Sequence, residues 1–150
     1  MSGICGEIRF DDTPADTALV GRLASAQAHR GPDAVGVLTQ DRLGFGHRRL
    51  AVIDPSPSSN QPLVDADLGL GIVYDGALYN FKEIRRDLED RGYRFFSAGD
   101  AEVVLKAYHA WGTECLERFN GMFAFAVWER DSGRVVLARD RAGVRPLYYA

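Results

Sequence analysis

The chain opens Met1-Ser2-Gly3-Ile4-Cys5-Gly6-Glu7-Ile8-Arg9-Phe10. Residues 4–10 read as a strand that starts almost at the first residue, with apolar and polar side chains alternating from Ile8. Most domains fray at their ends, so a terminus built into a sheet implies that something about it matters. Thr13-Pro14-Ala15-Asp16 then supplies an N-cap, a proline at the first helical position and an acid at the third, which predicts a helix carrying Leu19, Leu23 and Ala26 to about His29. Arg30-Gly31-Pro32-Asp33 breaks that helix, and residues 35–39, 43–48 and 50–53 read as short strands.

Farther along, residues 54–67 hold Pro55, Ser56, Pro57, Ser58, Ser59 and Asn60 and read as one long loop inside a domain. A buried strand is predicted over 70–74, ending at Asp75-Gly76, then a helix capped by Asn80 that stops at Gly92. A short strand over 94–97 follows. Asp100 is the predicted cap of a third helix, whose Val103, Val104, Ala107, Tyr108 and Trp111 share a face and whose stop is Gly112. Residues 122–129 and 134–138 flank Asp131-Ser132-Gly133, a three-residue hairpin signal. Leu147-Tyr148-Tyr149-Ala150 reads as a strand in progress, so the single domain over 1–150 is expected to be C-terminally incomplete, with sheet edges left open where its last strands belong. Helices on mostly antiparallel strands predict an α+β layered domain.

Composition narrows the function. With 46% apolar and 26% charged residues in 150, the chain is globular and long enough to bury roughly 70% of its unfolded surface. A net charge of −3 without single-sign runs gives no support to a nucleic-acid partner or an anionic membrane. The N-terminus lacks the basic region of a signal peptide, so a cytoplasmic location is expected. Cys5 and Cys115 lie far apart and His29, His47 and His109 show no ligand spacing, so no metal site is expected. Neither phosphate-loop pattern nor a GxSxG elbow occurs.

Ser2 stands out. Excision of Met1 would place a hydroxyl and a free α-amine on one residue, and an α-amine titrates at about 7.7–8.0 in peptides, low enough to act as base for its own side chain. Taken alone, Ser2 is better read as an exposed second residue without a role.

Five ordered motifs supply the context: Met1-Ser2-Gly3-Ile4; Arg30-Gly31-Pro32-Asp33; Gly46-His47-Arg48-Arg49-Leu50 through Asp54; Tyr74-Asp75-Gly76-Ala77-Leu78-Tyr79-Asn80; and Gly121-Met122-Phe123-Ala124-Phe125-Ala126 leading to Arg139-Asp140-Arg141-Ala142-Gly143-Val144-Arg145-Pro146-Leu147-Tyr148-Tyr149. Together they resemble the class II glutamine amidotransferase domain of asparagine synthetases over nearly the whole chain. The opening and His109-Ala110-Trp111-Gly112 look closest to the branch that forms the terminal amide of N-acetylglutaminylglutamine. The resemblance implies an N-terminal-nucleophile hydrolase fold, a four-layer αββα sandwich of antiparallel sheets, and hydrolysis of L-glutamine to glutamate and ammonia. The ammonia would pass to a C-terminal synthetase domain, where ATP and Mg²⁺ are expected; no cofactor is expected in residues 1–150. It leaves room for a homodimer.

By the same matching, Ser2 takes the place of the family's nucleophilic Cys. Arg49 would grip the glutamine α-carboxylate and Asp100 its α-ammonium, while Leu50, Val52 and Ile53 line the pocket on a strand. Asp75-Gly76 falls on the Asn-Gly pair that forms the oxyanion hole, and Ala77 stands where asparagine synthetases commonly carry Glu. Each residue also has a plainer reading: Arg49 a surface ion-pair partner, Asp100 only a helix cap, Gly76 a turn glycine, and Arg30-Gly31-Pro32-Asp33 a brace near the N-terminus. A hydroxyl is a poorer nucleophile than a thiol, and a carboxylate at 75 offers no donor to an oxyanion. The expectation is a pocket that binds glutamine and hydrolyses it slowly. The alternative is a catalytically silent domain that acts as a scaffold or amino-acid-binding module.

Overall fold

The structure, a computed structural model, describes residues 1–150. Ten helices and strands run in the order β1 (Gly3–Ile8), α1 (Thr17–Ala26), β2 (Ala34–Gln40), β3 (Leu43–Arg49), β4 (Leu63–Asp65), β5 (Leu70–Leu78), α2 (Phe81–Asp90), α3 (Asp100–Trp111), β6 (Gly121–Glu129) and β7 (Val135–Arg139). Two wholly antiparallel sheets result, β1-β3-β2 and β4-β5-β6-β7. No helix is long and apolar enough to cross a membrane.

Side-chain alternation in β3 sets the layering. Gly44 and Gly46 face α1, where a Cβ on Gly44 would lie 2.6 Å from Val20 and one on Gly46 would lie 3.1 Å from Val20 and 3.3 Å from Ala24. Their missing side chains let the helix settle directly on the strand. Leu43 and Phe45, on the opposite face, pack with Val73 of β5 and Ala126 and Trp128 of β6, which closes the two sheets on each other. The outer face of the second sheet carries Ile72, Tyr74, Phe123, Phe125 and Val127, buried against Ile84 and Leu88 of α2 and Val103, Val104 and Ala107 of α3. Helix, sheet, sheet and helices make the expected four-layer αββα sandwich.

Several elements differ from their sequence expectations. The first helix starts at Thr17 because Asp16, not Thr13, caps it: the Asp16 carboxylate accepts from the amides of Ala18 (2.8 Å) and Leu19 (3.0 Å), and the Thr13 hydroxyl turns to Asp11. It also ends earlier, at Ala26. The 54–67 loop contains a 3-10 turn, Pro57–Ser59, and the short β4. Asn80 sits at the start of α2 without capping it; its amide instead donates to the Arg118 carbonyl and accepts from Asn120, tying the helix to the start of β6. Residues 147–150 join no strand, and Tyr148 and Tyr149 are exposed.

Residues 50–53 and 94–97 are not strands either, and for one shared reason: side chains capture their backbone donors. The Leu50 amide donates to Ser2 Oγ and the Ala51 amide to Asp33. The amides of Phe96 and Ser97 and the Ser97 hydroxyl all donate to the fully buried Glu102 carboxylate, which also pairs with Lys106. β5 is longer than expected and runs straight through Asp75-Gly76. Gly76 faces Phe123 in register, and a Cβ there would lie 2.3 Å from the Met122 carbonyl. The glycine permits close approach of two strands and makes no turn.

Between the sheets, His47 of β3 reaches the Tyr74 carbonyl of β5 through Nε2 (3.1 Å). Burial lowers its pKa from 6.5 to about 4; the Tyr74 contact opposes the shift and the Arg49 charge adds to it. The unfolded chain therefore holds an extra proton between those pH values. Stability present above pH 6.5 falls by about 3 kcal/mol as the pH drops toward 4. Asp100, raised above 3.8 chiefly by burial, acts in the opposite direction in acid, so the contribution of the imidazole is read by comparison with His47→Gln. Denaturant unfolding at pH 7, 5.5 and 4.5 is expected to show a shallower loss for the variant; parallel curves would contradict this.

Candidate active site

The ends of β1 and β3, the middle of β5 and the start of α3 converge on one cavity of roughly 200 Å³. Every site residue named from the sequence lines it: Ser2, Arg49, Leu50, Val52, Ile53, Asp75, Gly76, Ala77 and Asp100. Leu50, Val52 and Ile53 do so from an irregular segment rather than a strand, with Val52 projecting at the mouth.

Ser2 lies just before β1, with Oγ accepting from the Leu50 amide (3.1 Å). Its carbonyl accepts from Arg30 Nε (3.0 Å), and Arg30 Nη2 donates to Asp75 Oδ2 (3.1 Å). Arg30 thus braces the N-terminus, as its motif suggested, and also serves as counter-ion to Asp75. The rest of the motif holds it there. Gly31 lies so close to β3 that a Cβ would come within 2.5 Å of the Arg48 carbonyl, and the Asp33 amide donates to the Arg49 carbonyl.

Arg49 is not a surface residue. Its guanidinium is buried, and Nη1 donates to the Ser56 carbonyl (2.8 Å) and to Asn60 Oδ1 (2.7 Å) while Nη2 donates to the Asp54 carbonyl. All three acceptors are neutral, and two of its five N–H donors are left for a ligand. Asp54 builds this cradle. Its carboxylate accepts from Ser59 Oγ (2.5 Å), the Ser56 amide (2.9 Å) and the Ala98 amide (3.0 Å), and these bonds, led by Ser59, hold it well below the usual carboxylate range. The Ala98 bond ties the Arg49 loop to the segment that enters α3.

Asp100 is the first residue of α3 and not its cap, a position taken by Gly99. Its buried Oδ2 accepts from the Tyr74 hydroxyl (2.7 Å) and the Leu78 amide (2.9 Å). Burial raises its pKa and the two hydrogen bonds partly offset that rise. Burial together with the Asp100 charge pushes the Tyr74 phenol well above 10, which keeps it a donor. The cavity therefore presents a cation and a carboxylate, each buried and each met only by neutral groups. A zwitterionic amino acid supplies the counter-charge for both.

Arg30, Asp54, Tyr74, Gln61 and Arg145 also shape the site but were given no site role from the sequence. Arg30, Asp54, Tyr74 and Arg145 fall inside the quoted motifs, so the motifs themselves carried the signal. Gln61, which accepts from the Tyr74 amide (2.6 Å), had none. No group of three or more His, Cys, Asp or Glu residues is placed to hold a metal ion.

Comparison with known proteins places the chain in a family. The family described as "Glutamine amidotransferase domain" matches residues 1–150. Asparagine synthetase [glutamine-hydrolyzing] 3 of Bacillus subtilis is 37% identical over 152 residues, covering 99% of this chain and 25% of its own length. Asparagine synthetase [glutamine-hydrolyzing] 1 of the same organism is 35% identical over 98% of the chain and 23% of its own length. Amidase chry2 of Gibberella zeae is 40% identical over 81% of the chain and 18% of its own length. The chain thus spans a quarter or less of these curated relatives. Among solved structures, the B. subtilis glutamine phosphoribosylpyrophosphate amidotransferase complexed with ADP and GMP superposes with a TM-score of 0.74 at 18% identity, over 97% of this chain and 38% of that one. The N-terminal-nucleophile hydrolase fold is shared between them.

Proposed function

Because this chain belongs to the glutamine amidotransferase domain family, we propose that it is the glutaminase part of an asparagine-synthetase-like amidotransferase, binding L-glutamine and releasing ammonia for an activated carboxylate. The observation that carries the reading is the pairing of Arg49 and Asp100 in one cavity. Arg49 takes the α-carboxylate with its two remaining donors, and Asp100 takes the α-ammonium.

This orientation sends the glutamine side chain toward Ser2 and Gly76. Once Met1 is removed, the Ser2 α-amine accepts the proton of Oγ as Oγ bonds to the amide carbon. The tetrahedral intermediate then expels ammonia, with the proton passing to the leaving nitrogen, and a glutamyl ester on Ser2 remains. Water, deprotonated by the same amine, attacks the ester; the Ser2 Oγ–carbon bond breaks, Oγ takes the proton back from the amine, and glutamate is freed. The Gly76 amide is the family's backbone donor to the oxyanion. The Leu50 amide, which donates to Ser2 Oγ, fixes the hydroxyl in the cavity. Ammonia would pass to a C-terminal synthetase domain, and ATP and Mg²⁺ would act in that domain.

The reading is tested by glutamate and ammonia release from a chain whose N-terminal Ser2 is verified by mass spectrometry, beside Ser2→Ala. Slow release is expected, lost in Ser2→Ala while glutamine affinity changes by less than about 3-fold. Equal release from both would refute a nucleophilic Ser2. The silent-domain alternative draws on the Asp75 carboxylate, and the two readings separate on whether the unchanged chain releases any ammonia above its Ser2→Ala form.

A further inference from the structure

One guanidinium of the cavity has no part in the steps above. Arg145 is only 7% exposed and lines the same cavity as Gly76 and Met122. Its Nε has no hydrogen-bond partner, and Nη1 meets only the thioether sulfur of Met1. A buried charged donor left unpaired is costly, and a thioether is a weak acceptor. The residue that supplies this poor partner is the one whose removal creates the nucleophile.

The backbone places Arg145 at the amide end of the site. Its N–H donates to Asp140 Oδ2 (3.0 Å), and the same oxygen accepts from the Phe123 amide (3.1 Å). Phe123 is the register partner of Gly76. Burial works against the Asp140 charge, but the amides of Arg145, Val144 and Phe123 outweigh it and hold the carboxyl below its usual range, so the anchor is firm. The cations in and beside the cavity are thereby divided. Arg49 sits at the loop end, Arg30 is already paired with Asp75, and Arg145 stands at the amide end without an anion.

We propose that Arg145, once Met1 has left, is the counter-ion for the negative charge that forms at the amide end: the oxyanion first, and then the γ-carboxylate of glutamate. The assignment rests on the glutaminase reading. It gives the site a cationic donor where Asp75 provides none, and it marks a side-chain carboxylate as the ligand that separates product from substrate.

The test is calorimetric binding of L-glutamate and L-glutamine to the chain with Ser2 as its first residue, beside Arg145→Met and Arg145→Lys. Arg145→Met is expected to lose about 10-fold or more in glutamate affinity and less than about 3-fold in glutamine affinity. Arg145→Lys keeps a point charge and is expected to recover part of the glutamate loss. A chain that retains Met1 is expected to bind glutamate more weakly than the processed one. Equal losses for both ligands, or an unchanged ratio, would overturn the proposal. If Arg145→Met does not fold, the ratio in Arg145→Lys decides: a structural role lowers both affinities together. A parent chain that binds neither amino acid refutes the glutaminase reading itself. One that binds both, with a ratio the variants leave fixed, refutes only the role of Arg145.

Discussion

Asp75→Asn is expected to raise glutamine turnover by about 10²-fold, and Ser2→Cys combined with it to raise turnover further. The carboxylate at 75 lies in the middle of β5, next to Gly76 and within the cavity that holds Ser2. One of its oxygens accepts from Arg30, which neutralises its charge in part but turns no donor toward the cavity. An asparagine in the same place is oriented by the same guanidinium. Arg30 only donates, so it selects the amide oxygen and leaves the NH₂ group to face the reacting carbonyl. A single preorganised donor of this kind is worth about 10²–10³ in rate in hydrolases that form tetrahedral intermediates.

The cost to the fold is small, because Arg30 retains a hydrogen bond and its side chain is partly exposed. Ser2→Cys adds a nucleophile that is a few per cent ionised at neutral pH. The measurement is saturating-glutamine release of ammonia for the two single variants and the double variant. Rates for Asp75→Asn that match the unchanged chain, with the fold intact by circular dichroism, would show that position 75 does not face the developing charge. The gain is also expected to depend on Arg30, since Arg30→Met would let the new amide rotate.

The strand at the chain's start, the hairpin at Asp131-Ser132-Gly133 and the helix stops at Gly92 and Gly112 were all legible because local chemistry decides them. Gly92, Gly112 and Gly133 have φ of +92°, +58° and +68°, where a side chain would be strained. Residues 50–53 and 94–97 were not legible. Their composition suits strands, but their amides are claimed by Ser2, Asp33 and Glu102, partners that only the folded chain brings near. The same limit applies to Asp75. Its type announces a missing oxyanion donor, whereas its counter-ion lies 45 residues away on the Arg30 turn. Arg49 was reachable through its motif and Asp100 through the family resemblance, but their lack of charged partners was not, and that is the property that makes them receptors for a ligand.

That property gives the second large effect. Arg49→Met is expected to lower kcat/KM for glutamine by about 10²-fold or more, the usual result of removing one member of a desolvated charge pair. Stability falls too, by roughly 1–3 kcal/mol, since Ser56, Asn60 and Asp54 lose a buried donor. Loss of activity alone therefore does not separate recognition from folding, but the choice of ligand does. γ-Aminobutyramide keeps the amine and amide of glutamine and lacks its carboxylate, so its weak binding is expected to be indifferent to Arg49→Met. Glutaric acid monoamide keeps the carboxylate and lacks the amine, so it is expected to lose affinity in Arg49→Met and to be indifferent to Asp100→Asn. Arg49→Lys falls between, because an ammonium cannot hold the three loop oxygens and a carboxylate at once. This crossed pattern requires that each handle of the amino acid meet one residue. A cavity that had merely collapsed would lose all of these ligands alike.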